Sequence, residues 1–350
     1  MKSVLLISNY VFHYRQKVYN YFADRFHEDG YDFHVLAPEY QQVDYALRFT
    51  AHTLPISLCG YTRKIKEIKP DAVILFLKLK DKIQPGLIYY CKWNHIPVIF
   101  WNKGVSDTDP HNPIKNAIYH HMHDACNALI TYTSDMIPNF QQKNQKKLFI
   151  GWNTVNCTNI DKTKYEKLTL KKKHGIKEKM VILYVSRLLP TKRPEVLLNT
   201  MTNVPDVAVV MMGAGMTEEL QTLVDAAPNL YYLGQKYGDE GNEVWAMGDI
   251  FSIPVNCGLG INEAIFWNMP IVTMNGFQPP EIYYVKEGKT GFITENEEEY
   301  KEKLLLLSRD KALLEHMKRE CQAEYEAEVG IENMYQGFID AVNYARGERK

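Results

Sequence analysis

Arg187 comes directly after a strand-like run at 181–186, and Lys192 stands five positions further on. A short run rich in Val and Ile reads as a strand buried on both faces. The carboxyl end of such a strand is the usual ligand edge of an open α/β sheet. An arginine there can hold two oxygens in its fork, and a lysine adds a point charge, so the pair suits a diphosphate. The same spacing also describes two solvated surface cations. A second element, Met211-Met212-Gly213-Ala214-Gly215, closes another strand-like run. Its glycines either let the backbone approach a ligand or simply make a strand-to-helix turn.

The third element runs from Pro254 through Val255-Asn256-Cys257-Gly258-Leu259-Gly260 to Glu263-Ala264. A glycine-rich loop entering a helix offers N–H groups to an anion, here around Gly258 and Leu259. Glu263 falls in or near the first helical turn. A carboxylate at that point can accept two hydrogen bonds from a vicinal diol such as a ribose, or can be an acid favoured by the helix dipole.

These elements need strands to position them. Apolar runs at 4–7, 33–36, 73–77, 98–101 and 128–132 alternate with stretches long enough for crossover helices, such as 15–27 with Val18, Tyr21, Phe22 and Phe26 on one stripe. A second series follows at 181–185, 207–212, 230–233, 250–253 and 271–274. The lysine-dense stretch 161–179 separates the series. The pattern predicts an α/β protein of two doubly wound, Rossmann-like domains facing a cleft, at 1–160 and 161–330. A last helix in 331–350 is expected to pack back towards the N-terminal domain.

The chain of 350 residues exceeds what one core usually organises. Lys+Arg total 41 against 42 Asp+Glu, which argues against a nucleic-acid coat protein. The six cysteines show neither C-x-x-C spacing nor a disulfide framework, so buried or partly buried thiols in a reducing compartment are expected. The segment 1–8 reads as a first strand rather than a signal peptide, and no apolar run approaches a membrane span. The sequon Asn156-Cys157-Thr158 reads as a chance match.

Residues 181–294 resemble the donor-binding domain of glycosyltransferase family 4. The resemblance rests on Ser186-Arg187-Leu188 with Lys192, Gly213-Ala214-Gly215, Leu233-Gly234, and Gly258-Leu259 with Glu263-Ala264. It continues in Pro270-Ile271-Val272, Pro280-Glu281 and Gly288-Lys289-Thr290-Gly291-Phe292. The first half matches more loosely, chiefly at Asn153-Thr154. The resemblance implies a GT-B fold and a retaining hexosyl transfer from a nucleotide-diphosphate sugar, with no metal or other cofactor. It further implies that Arg187 and Lys192 hold the diphosphate as leaving group, that the backbone around Gly213, Gly258 and Leu259 adds contacts, and that Glu263 grips the ribose. The family usually has two glutamates separated by seven residues. The second matches Glu263, and Val255 stands in place of the first. Either the donor is altered at that contact or Asn256 takes over part of the role.

By the same resemblance the first domain takes a glycan or lipid-linked acceptor, as in synthesis of a cell-surface polysaccharide. The loop Asn9-Tyr10-Val11-Phe12-His13-Tyr14-Arg15 is aromatic and basic. His13, Tyr14 and Arg15 are candidates there, because aromatic faces suit sugar rings and arginine suits an anionic or lipid-diphosphate acceptor. Lys103, in Trp101-Asn102-Lys103-Gly104, is a further candidate. Asp107, Asp109 and His111 read as a solvated loop, and His120-His121-His123 as a polar helix face rather than a metal site. Lys143, Lys146, Lys147 and the 161–179 segment are either solvated loops or a peripheral contact with an anionic membrane. The expected location is the cytoplasm, at the inner face of the cell membrane if the acceptor is membrane-bound. The rivals are a catalytically weak or inactive nucleotide-sugar binding protein on the same fold, a GT-B epimerase, and a nicotinamide oxidoreductase. The last wants G-x-G-x-x-G after the first strand, where Asn9-Tyr10-Val11-Phe12 stands instead.

Overall fold

The computed structural model describes residues 1–106 and 109–348. The chain forms two compact units: Met1–Asn156 with Ile331–Lys350, and Cys157–Gly330.

In the first unit a seven-stranded sheet has the order β5-β3-β1-β6-β7-β8-β9. Its strands are β1 Lys2–Ser8, β3 Tyr31–Ala37, β5 Thr50–Thr53, β6 Ala72–Phe76, β7 Val98–Trp101, β8 Ala128–Thr131 and β9 Leu148–Ile150. All neighbours are parallel, with Val4 opposite Phe33 on one side and Ala72 on the other. The two-residue strands β2 Tyr10–Val11 and β4 Glu39–Tyr40 pair separately.

The unbroken apolar runs follow from burial on both faces. Val4 and Leu6 enter one hydrophobic cluster, and Leu5 and Ile7 enter the other. The first cluster is covered by helices His13–Glu28 and Ile331–Ala345, the second by Leu58–Ile68, Gln84–Trp93 and Pro113–Ala125. Phe338 of the last helix lies edge-on to Phe22 and to Trp101, each at 4.9 Å between centroids. That helix approaches β9 closely because it has Gly337, where a Cβ would meet the Ile150 carbonyl oxygen at 2.0 Å.

In the second unit the order is β12-β11-β10-β13-β14-β15, again all parallel. The strands are β10 Met180–Val185, β11 Val207–Met212, β12 Leu230–Tyr232, β13 Ile250–Ser252, β14 Ile271–Met274 and β15 Gly291–Thr294. Connections run outward from β10 to β12, and the chain then returns to lay β13 against the other side of β10. The strand order therefore reverses between β10 and β13. Loops leaving adjacent strands there diverge and open a crevice, the general ligand position in this architecture. In the first unit the same reversal falls between β1 and β6.

The lysine-dense segment is built into its own unit. Lys162 donates to the Phe266 carbonyl at 2.6 Å, Lys173 pairs with Glu243 at 2.6 Å and Lys179 with Asp206 at 2.9 Å. Lys167 meets Asp249 at 2.5 Å. Among the described residues no helix is long and apolar enough to cross a membrane.

Candidate functional site

All three cation- and glycine-bearing elements of the second unit leave the carboxyl edge of its sheet. Arg187 and Lys192 follow β10, Gly213 follows β11, and the 253–259 loop follows β13. Arg187 and Lys192 thus leave the sheet on one side of the reversal point and the loop on the other.

The turn after β10 is held by backbone bonds to the end of β11. Ser186 N–H donates to Met212 at 3.0 Å and Leu188 N–H to Ala214 at 2.8 Å. This zipper demands Gly213, since a Cβ there would lie 1.8 Å from the Ser186 carbonyl oxygen. Gly213 thus serves the close packing of one backbone turn on another, a role its sequence context did not offer. The Arg187 side chain is exposed. Lys192 is 8% exposed, and its ammonium donates to the carbonyl of Asn256. Burial pushes the Lys192 pKa below the ordinary lysine value; Cys257 opposes this and the Arg187 charge adds to it.

Asn256 can offer that carbonyl because it adopts φ 58°, a left-handed conformation that Asn tolerates better than most residues. The loop is fixed from below. Thr273 on β14 donates to the Ile253 carbonyl at 2.8 Å, and Met274 N–H to Pro254 at 2.7 Å. Gln278 accepts from Cys257 N–H at 3.1 Å and donates to Thr273 at 2.9 Å and to Met274 at 3.0 Å. The Cys257 thiol is buried, and burial pushes its pKa up to about 11, so it is a packing thiol rather than a nucleophile. Sequence reasoning missed Thr273 and Gln278, which carry no motif.

Past Cys257 the chain turns through Gly258, at φ 67° with open space where a Cβ would stand, into helix Gly260–Phe266. Among the described residues the N–H groups of Gly258, Leu259 and Gly260 are given to no protein acceptor. Glu263 lies in the first turn of that helix. Val255 is half-buried, and its Cγ1 would be 3.4 Å from a Cβ on Gly276.

Some cations of this unit are paired with carboxylates and others are not. Lys167, Lys173, Lys179, Arg193, Lys236, Lys286 and Lys318 in this unit each meet a carboxylate. Arg187 and Lys192, among the described residues, meet none. Two uncompensated cations beside open amides form an electropositive edge suited to a polyanion.

In the first unit His13, Tyr14 and Arg15 are the first turn of helix His13–Glu28, not a loop. The helix starts earlier than the sequence suggested because the Gln41 side chain accepts the His13 N–H at 3.0 Å. His13 Nδ1 also lies 3.0 Å from that Gln41 oxygen. The Tyr14 ring stacks on Phe12 at 5.7 Å. Arg15 is 6% exposed, and its Nη2 donates to Asn153 Oδ1 at 2.6 Å. Lys103 lies with its ammonium 5.7 Å from the Tyr132 ring centre. Asp109 accepts from Asn112 at 2.9 Å, and His111 is exposed. Asp107 lies outside the described residues.

His123 is buried, with Nε2 2.9 Å from Asn102 Oδ1, and burial pushes its pKa down to about 3, so it is a neutral core histidine. His120 and His121 sit on the same helix. Lys147 is tied to the His123 carbonyl at 2.8 Å and Lys143 to Asp124 at 2.6 Å, while Lys146 is exposed. Among the described residues no three His, Cys, Asp or Glu side chains converge to hold a metal ion.

A family profile described as "Glycosyl transferases group 1" matches residues 166–323. A sulfoquinovosyl transferase of Arabidopsis thaliana is 29% identical over 133 residues, covering 37% of this chain and 26% of that protein. The chain thus matches only about a quarter of that relative's length. A glycosyltransferase from Rickettsia africae superposes with TM-score 0.78 at 13% identity, over 98% of both chains. HepE from Anabaena, solved with UDP and glucose, gives TM-score 0.70 at 13% identity, over 98% of this chain and 100% of that one. The chain thus has the GT-B fold, and the segment that matches the glycosyl transferases group 1 profile holds β10 to β15 with the cation-bearing edge.

Proposed function

We propose that this protein is a glycosyltransferase of family 4 type that moves a sugar, with retention of anomeric configuration, from a nucleotide-diphosphate donor to a glycan or glycolipid acceptor. The observation that carries this reading is the pair Arg187 and Lys192, both without a carboxylate partner among the described residues, beside the open amides of 258–260 at the strand-order reversal. A sugar leaves a nucleotide diphosphate as charge builds on the β-phosphate. Preorganised cations and amides lower that barrier in the way a divalent metal does elsewhere, so no metal is required. Glu263 takes the ribose hydroxyls. The relative crystallised with UDP makes a uridine nucleotide the first donor to try. His13, Tyr14, Arg15 and Lys103 of the first unit serve the acceptor. The setting is synthesis of a cell-envelope glycan at the inner face of the membrane.

A thermal-shift screen with nucleotide sugars and their nucleoside diphosphates tests the donor half. Ligand that binds only the native state raises the melting temperature, by about 2.7 kcal/mol of stabilisation at a hundred times Kd. UDP or a UDP-sugar is expected to give a saturable rise. A flat response across the whole panel would remove the reading.

Val255 gives a second expectation. A valine offers a donor sugar no hydrogen bond, so the matching sugar edge should be one with little need of a polar partner. Val255→Glu is expected to change the order of preference in a donor panel. An unchanged order would show that Val255 does not select the donor.

A further inference from the structure

Arg15 is the buried counterpart, in the first unit, of the uncompensated cations in the second. The other arginines there that form ion pairs, Arg25, Arg48 and Arg346, meet Glu332, Asp24 and Asp71. Arg15 is 6% exposed and, among the described residues, meets no carboxylate. Its surroundings are assembled from the carboxyl edge of the sheet. The guanidinium carbon lies 4.9 Å from the Trp101 ring centre at the end of β7, 5.7 Å from Phe76 at the end of β6, and 5.6 Å from Tyr14. Asn153, past β9, takes Nη2. Nη1 is buried with no partner among the described residues, and so is the indole nitrogen of Trp101.

This arrangement is costly unless something completes it. An aromatic face attracts a cation but supplies no acceptor for its N–H groups. A buried guanidinium without an anion retains most of its desolvation penalty. The same residues also adjoin the N-terminus of a helix of 16 residues, where the Tyr14 and Arg15 amides have no acceptor among the described residues.

We infer that Arg15 is the floor of an oxyanion site, and that its ligand is a carboxylate or phosphate carried by the acceptor. The inference rests on reading the chain as a glycosyltransferase whose first unit takes the acceptor, and it narrows that acceptor to an acidic or phosphorylated glycan or glycolipid. Tyr14 is the cover: its ring is half-buried and stacks on Phe12, which is 46% exposed. The anion displaces that ring and takes the hydrogen bond that Nη1 lacks. Trp101 and Phe76 keep water from the charge, which strengthens the pairing.

Arg15→Met risks the fold, so Asn153→Asp is the sharper variant. It places a carboxylate where Asn153 Oδ1 now receives the guanidinium, and so satisfies Arg15 from within. The full chain is titrated with sodium glucuronate and with inorganic phosphate, against chloride of matched ionic strength, following the melting temperature. One or both anions should raise melting of the wild type saturably, and which does so separates a uronic acid from a phosphorylated acceptor. Without ligand, Asn153→Asp should melt about 2–4 °C higher, and its anion affinity should fall at least tenfold. Phosphate held by Arg187 and Lys192 would persist in both proteins and cancels in the comparison. No response to either anion in the wild type, or equal responses in both proteins, would overturn the inference. A nucleoside diphosphate added to the same samples reports separately on the donor reading.

Discussion

Lys192→Ala is expected to lower turnover by about a hundredfold or more, because it removes charge from the site where the leaving diphosphate develops its own. The effect should fall on kcat as well as on donor affinity, since the charge on the β-phosphate grows between ground state and transition state. Lys192 is already desolvated, hydrogen-bonded to the Asn256 carbonyl and free of any carboxylate among the described residues, so the cost of placing it was met on folding. Arg187→Ala should behave alike but with a larger share in donor binding, because Arg187 is exposed. Initial rates over a range of donor concentrations separate these terms. Rates within a few-fold of wild type in either variant would contradict the assigned roles.

Gly213→Ala is the second large effect. A Cβ at that position would lie 1.8 Å from the Ser186 carbonyl oxygen and 2.6 Å from its carbon, both backbone atoms that no rotamer change can move aside. Relief requires the turn at 186–188 to shift, breaking its bonds to Met212 and Ala214. Stability should fall by about 2 kcal/mol or more, in the range of backbone strain at a special conformation. That corresponds to roughly 4–8 °C in melting temperature for a domain of this size. Donor affinity should fall as well, since Arg187 rides on the displaced turn. Scanning calorimetry with and without nucleoside diphosphate measures both; wild-type melting together with wild-type binding would show that the turn yields freely.

Much of this architecture was legible in the chain. Strands such as β1 and β11 announce themselves because burial on both faces requires unbroken apolar runs. The strands that escaped notice are those without that requirement. Thr50–Thr53 is an edge strand with mostly exposed residues, and Leu148–Ile150 is only three residues long and half-buried. Gly291 opens β15 because a Cβ would meet the Ile271 carbonyl oxygen at 2.2 Å, yet in sequence a glycine reads as a turn. Arg187 and Lys192 could be placed by position, since both follow a recognisable strand. Their isolation from carboxylates could not, because it depends on where seven other cations of the unit find partners. Arg15 read as a loop cation for the same reason: the rings that enclose it come from 14, 76 and 101, and its amide partner from 153.

On the proposed reading, Arg187 and Lys192 hold a pyrophosphate at the carboxyl edge of the second sheet. Calorimetric titration of wild type and of Arg187→Ala/Lys192→Ala with UDP, and with uridine as the phosphate-free control, tests it most directly. In the wild type UDP should bind at least about a hundredfold more tightly than uridine, as hydrogen bonds to charged groups of this kind would give, and the double variant should lose most of that difference while still binding uridine. An undiminished preference for UDP in the double variant would place the diphosphate elsewhere.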